Sequence, residues 1–156
     1  MSLYDHIKVG MVLEVGSHKF EAESIKRFAA KFDPQPFHLD EDAAKNSLFG
    51  GLCASGWHSL SVWMRMNIEV GRKLLETESG YIGPEPEFGM SPGVKNIKWL
   101  RPIFAGDTIT YRTTVISKRK LRSKPPWSYI GKHTEGFNQY GDKVLEFDGG
   151  VMLKVN

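Results

Sequence analysis

Residues 28–61 read FAAKFDPQPFHLDEDAAKNSLFGGLCASGWHSLS, and the local rule changes three times within them. Up to Phe32 the spacing is helical. Ile25, Phe28, Ala29 and Phe32 stand at i, i+3, i+4 and i+7, with Ser24 as the N-cap. Pro34 stops that helix, and Pro34 and Pro36 keep the backbone extended as far as His38. Asp33 and His38 therefore do not share a helix. They project from one stiff loop, which presents a carboxylate and an imidazole to the same small volume. Asp40 caps one further helical turn through EDAAKN, and SLFGGLCASG (47–56) is a small, glycine-rich loop whose backbone can be approached closely.

At Gly56 the longest helical pattern of the chain opens. Trp57, Leu60, Met64, Ile68, Gly71 and Leu75 fall on one stripe, and Arg72 and Lys73 near its end suit the helix dipole. The spacing predicts a helix to about Glu76, and the large side chains Trp57, Trp63, Met64 and Met66 predict that it is substantially buried. Before residue 25 the chain reads as short extended pieces around Val12–Leu13 and over 18–24. The Pro/Gly-rich run from Gly80 to Gly93 is a loop. Four strand-like stretches follow, over 94–103, 108–119, 127–139 and 143–155, the last two joined by a hairpin at Tyr140-Gly141-Asp142. Strands joined by short turns imply an antiparallel meander. A sheet with one apolar face must cover it, and the long helix is the element of adequate length. The expected architecture is α+β, an antiparallel sheet wrapped around one central helix, in a single domain over 1–156.

Composition narrows the function classes. With 40% hydrophobic and 25% charged residues the chain reads as a folded domain rather than a disordered one. The net charge of +3 owes much to Lys118, Arg119, Lys120, Arg122 and Lys124, a local excess that suits an anionic small molecule or a solvated turn. No basic stripe marks a nucleic-acid partner. The single Cys53 excludes an intrachain disulfide, and neither a signal-peptide core nor a membrane-length apolar run is present. The expected location is cytoplasmic, with no membrane partner. His6, His18, His38, His58 and His133 are dispersed without ligand spacing, so no metal site is expected, and neither a P-loop nor a dinucleotide fingerprint occurs.

Phe32-Asp33-Pro34-Gln35-Pro36-Phe37-His38-Leu39-Asp40 resembles the signature of the MaoC-like dehydratases and (R)-specific enoyl-CoA hydratases, Y/F-D-x-x-P-x-H-x-D followed by alanine and a glycine-rich turn. WLRPIFAGDTI (99–109) resembles the same family's R-P-x-x-x-G-D-T turn, and the two blocks occur in the family's order. The resemblance implies a hot-dog fold and reversible hydration of an enoyl-CoA to a 3-hydroxyacyl-CoA. It also implies a homodimer or an assembly of dimers, and no cofactor beyond the CoA that arrives with the substrate. One departure stands out: family members often carry His-Gly at the start of the central helix, and this chain has Ser55-Gly56.

Hydration needs a base for water, an acid for the α-carbon and a donor for the thioester oxygen. By resemblance Asp33 and His38 hold the catalytic water. The Gly56 N–H, at a helix N-terminus, is the candidate donor, and Ser61 matches a position where related hydratases place a serine near substrate. Ser55, Trp57, Arg101, Lys118 and Arg119 are the candidate substrate contacts, the cations for CoA phosphates. Against these stand structural readings: Asp33 as a cap, His38 as a satisfied core histidine, Gly56 as a packing glycine. Two rival functions remain, a hot-dog acyl-CoA thioesterase and a non-catalytic acyl-CoA-binding domain.

Overall fold

The computed structural model describes residues 1–155. A short α1 (Leu3–His6) leads into β1 (Val12–Lys19), and Phe20 then drops fully buried into the interior. The extended segment expected over 18–24 therefore ends early. α2 (Ala22–Phe32) starts before Ser24, with Glu21 at its N-cap, and buries Ile25 and Ala29. Asp33 is its C-cap, as Pro34 requires. The next segment departs from the stiff-loop expectation. Pro36 occupies the first position of a one-turn α3 (Pro36–Leu39), where a missing N–H costs nothing, and His38 rides on that turn. Asp40 caps α4 (Glu41–Lys45) by accepting from the Ala43 N–H at 2.7 Å.

The long helix is α5 (Gly56–Met66), a π-helical turn (Asn67–Gly71), and α6 (Arg72–Ser79), closed by Gly80 in the left-handed conformation at φ 70°. The π turn overturns the single-stripe reading. Trp57, Met64 and Ile68 lie together on an exposed face, whereas Gly71 and Leu75, in phase with them at 3.6 residues per turn, are buried. One extra residue in a turn rotates everything beyond it by about 100°, which accounts for the change of face. The helix is thus less buried than its large side chains imply. Trp57 is 56% exposed and Trp63 only 9%.

β2 (Lys95–Trp99), β3 (Thr108–Lys120), β4 (Trp127–Phe137) and β5 (Lys143–Lys154) complete an antiparallel sheet in the order β1-β3-β4-β5-β2. β3, β4 and β5 form the expected meander. β2 does not join it in sequence; it crosses to the far edge and pairs with β5. Inward residues alternate along the meander, and the Tyr111 hydroxyl donates to the Ser59 carbonyl at 2.8 Å, tying β3 to α5. The interior is two apolar clusters. One gathers Phe20, Ile25, Trp63, Tyr111 and Phe147 around α2 and α5; the other gathers Leu3, Ile7, Leu75, Ile130 and Leu153 around α1 and α6. A sheet wrapped around one helix in this way is the hot-dog fold. Among the described residues no helix is long and apolar enough to cross a membrane.

Candidate active site

Asp33 ends one helix and His38 sits on the next turn, and the chain reversal between them brings Asp33 Oδ2 to 3.3 Å from His38 Nε2. His38 is 6% exposed, and its Nδ1 bonds the carbonyl oxygen of Cys53. A carbonyl only accepts, so Nδ1 carries a proton, and Nε2 faces Asp33 as an N–H donor in the imidazolium and as a lone pair in the neutral ring. In the neutral ring both facing atoms are acceptors, which calls for a donor between or in front of them. A water molecule, with two O–H groups, is the simplest such donor.

Asp33 is pulled two ways. Burial raises its carboxyl, but hydrogen bonds from Ser55 and then Gln35, joined by the charge and the Nε2–H hydrogen bond of His38 when its ring is protonated, outweigh that and hold it below its usual value. Gln35 Nε2 donates to Asp33 Oδ1 at 2.7 Å. Ser55 is 1% exposed and caps α5, accepting from the Trp57 N–H at 3.3 Å while bonding Asp33. The residue that stands where the family often has histidine therefore holds the carboxylate. Cys53, beside the imidazole, has its thiol pushed up to about 11 by burial and then by the Asp33 charge, so it stays a neutral wall.

These groups open onto a cavity of about 500 Å³, a size ordinary for a small-molecule site. Gly56 and Trp57 line it from α5, Phe37 and Phe49 from the preceding loops, and Trp99 and Arg101 from the end of β2. Gly56 occupies the first position of α5, where the N–H has no intrahelical acceptor. A Cβ there would collide with the Trp99 indole, so packing alone also demands glycine. The other proposed contacts lie elsewhere. Ser61 is exposed and donates to its own helix, to the Trp57 carbonyl at 2.8 Å. Lys118 Nζ is tied to the carbonyls of Tyr4 and Ile7 at 3.0 and 2.8 Å, and Arg119 stacks over Tyr129. Arg119 and Tyr129 line a second cleft of about 510 Å³ on the outer face of the sheet, which shares no lining residue with the cavity at Asp33 and His38.

Sequence reading missed Gln35 and Trp99 as site residues. Gln35 had a signal, since it lies two residues from Asp33 between the prolines. Trp99 had none, because its place depends on β2 crossing to the sheet edge. On the outer sheet face, His133, Glu135 and Glu146 also converge, their ligand atoms within 4.8 Å, through strand register that histidine spacing cannot reveal. Lys143 Nζ bridges both glutamates at 2.8 and 2.9 Å.

A model of the MaoC like domain family matches residues 8–128. The MaoC-like dehydratase from Rhodospirillum rubrum is 32% identical, with a TM-score of 0.81 over 97% of this chain and 96% of that one. An unliganded (R)-hydratase from Pseudomonas aeruginosa, 22% identical, shares the fold with a TM-score of 0.69 over 98% of this chain and 86% of its own. YdeM of Bacillus subtilis, itself uncharacterised, is 27% identical over 150 residues, 96% of this chain and 97% of that protein. A 57-residue stretch is 35% identical to mesaconyl-CoA hydratase of Cereibacter sphaeroides, covering 36% of this chain and 16% of that enzyme.

Proposed function

From the premise that the chain belongs to the MaoC-like domain family, we propose that it is a hydratase that adds water reversibly across the double bond of an enoyl-CoA. The observation that carries this reading is the Asp33–His38 pair, a carboxylate and an imidazole nitrogen 3.3 Å apart at the wall of a cavity of about 500 Å³. The CoA hydratase similarity over 57 residues supports the choice of thioester.

In the hydration direction a water donates one hydrogen toward Asp33 and one toward His38 Nε2, which orients its oxygen lone pair outward. That oxygen bonds to the β-carbon as one water O–H bond breaks and its proton passes to the dyad. The π electrons of the double bond move toward the thioester oxygen, where the Gly56 N–H and the dipole of α5 favour the developing charge. The dyad then returns a proton to the α-carbon. A low carboxyl at Asp33 keeps it anionic at neutral pH, and the Cys53 carbonyl keeps His38 in one tautomer. CoA enters and leaves with the acyl group, and the dyad chemistry calls on no resident cofactor. Trp57 and Arg101, at the cavity wall, are the substrate contacts of this reading. A homodimer, covering the free edge of a terminal strand, and a cytoplasmic location complete it.

The test is a short trans-2-enoyl-CoA followed at once by conjugated-enoyl absorbance and by free thiol. Loss of absorbance without thiol, abolished in Asp33→Asn and His38→Ala, is the expected result. Thiol release by the wild type would move the protein to the thioesterases. Binding without turnover across short, long and branched acyl groups would make it an acyl-CoA-binding domain.

A further inference from the structure

The two apolar clusters meet where the long helix makes its π turn, and the junction is polar. β4 turns Ser128, Ile130, Lys132 and Thr134 toward the helix, so a lysine stands inside the sheet beside an isoleucine of one cluster. Lys132 is 5% exposed. Burial pushes its amine down to about 8 and the charge acting on it is that of Arg72, of like sign; no carboxylate offsets either. The amine is still mostly charged at neutral pH. Across from it Trp63 is 9% exposed, and its Nε1–H is buried with no acceptor among the described residues.

Lys132 and Trp63 line the same small cavity, of about 20 Å³, with Asn67 from the π turn and the backbone of Gly149 and Gly150. That is room for one water or for the head of one small ion. The π turn contributes Asn67, and Gly71 leaves space for its amide, since a Cβ there would come within 2.9 Å of Asn67 Oδ1. Buried charges are ordinarily paired, and buried N–H groups ordinarily find acceptors. Here an ammonium, an indole N–H and an amide share one cavity, and a carboxylate is the group whose two oxygens accept from several donors at once. We propose that the cavity beneath the π turn binds one carboxylate group, held by Lys132 with Trp63 and Asn67 beside it.

Two sources supply such a group: a free small carboxylate, or the far end of an acyl chain that itself ends in a carboxylate. Trp63 stands seven residues beyond Gly56, about 10 Å along the helix axis. The site itself does not depend on the hydratase reading, and its test does not require turnover.

The probe is sodium formate, titrated at constant ionic strength against sulfate, which is too large for the cavity. The readouts are the indole ¹H–¹⁵N resonance of Trp63, assigned by its loss in Trp63→Phe, and the melting temperature. Formate is expected to shift that resonance saturably and to raise the melting temperature, with both responses absent in Lys132→Met. An enoyl-CoA ending in a carboxylate and its methyl ester form the second arm. A shift with the acid but not the ester, at concentrations where formate is silent, assigns the site to the acyl terminus. A shift with formate and equal indifference to both thioesters assigns it to a free ion. No saturable shift with either probe in the wild type, or an undiminished shift in Lys132→Met, overturns the proposal.

Discussion

Two histidines are buried to the same degree, His38 at 6% exposure and His58 at 7%, and their surroundings are opposite. His38 has a partner on each nitrogen, the Cys53 carbonyl and the Asp33 carboxylate. His58 lies flat against Phe28 at 4.6 Å, meets Phe20 edge-on at 5.1 Å, and its buried Nδ1 has no partner among the described residues. Burial, with a smaller push from His18, drives His58 down to about 4, so it is uncharged at neutral pH. What separates the imidazole to which the proposed function gives a catalytic role from the core one is thus who faces its nitrogens. Depth does not decide it.

The largest effect expected from breaking the contrast is on rate. His38→Ala and Asp33→Asn should each lower kcat/KM by roughly 10²–10⁴-fold, the ordinary worth of a general acid–base group. His58→Phe should leave kcat/KM unchanged within twofold. A rate loss at His58 as large as at His38 would collapse the distinction.

Stability against acid should respond the other way. His58 in the folded chain titrates near 4, and an unfolded histidine near 6.5. Between those values the unfolded state binds the proton first, so stability is full above pH 6.5 and is lost as pH falls toward 4. The loss from this one group is about 3 kcal/mol. Denaturant unfolding of His58→Phe from pH 7 to pH 4 should show that much less decline than the wild type. An identical decline would mean that His58 is protonated without penalty.

Ser55 sharpens the comparison from the carboxylate's side. Ser55→Ala removes a hydrogen bond to a charged group, worth about 1.5–3 kcal/mol, and a helix cap besides. The Asp33 carboxyl should rise, so the acid limb of the pH–rate profile should move to higher pH while the plateau rate falls less than in Asp33→Asn. An unmoved limb would show that Ser55 acts only as a cap. The smallest effect belongs to Ser61. Its hydroxyl serves the Trp57 carbonyl on an exposed face, so Ser61→Ala should change the rate by less than twofold and stability by no more than about 0.5 kcal/mol.

Local features of this molecule were legible in its sequence where a short-range rule governs them. The Asp40 cap, the start of α5 at Gly56 and the β3-β4-β5 meander follow from capping residues, glycine and alternation. Asp33 and His38 were legible as a pair on one short stretch that Pro34 takes out of the helix, but the turn of α3 that carries His38 was not, because the two prolines read as holding the backbone extended. The pairing of β2 with β5 was not, since it joins residues such as Trp99 and Leu145 that lie far apart in the sequence with β3 and β4 between them. Trp99 therefore reached the site unannounced. Ser61 looked useful by position, yet a helical serine has its own carbonyl four residues back as a ready partner. Lys132 did carry a signal. In WSYIGKHTEGF it keeps step with Ile130 on the inward side, a lysine in a core phase.

The π turn has a further consequence when the helix is regarded as a ruler. Residues 56–66 and 72–79 are graduated on the same scale but with zero marks offset by one residue. Each half can thus present its own face to its own half of the sheet. Deleting one residue between Asn67 and Gly71 would bring the two scales into agreement and leave Leu75 on the cluster it fills, whereas making the turn regular at constant length would rotate Leu75 away from it by about 100°. A redesign that extends one apolar period through the whole helix would fit one half and misface the other.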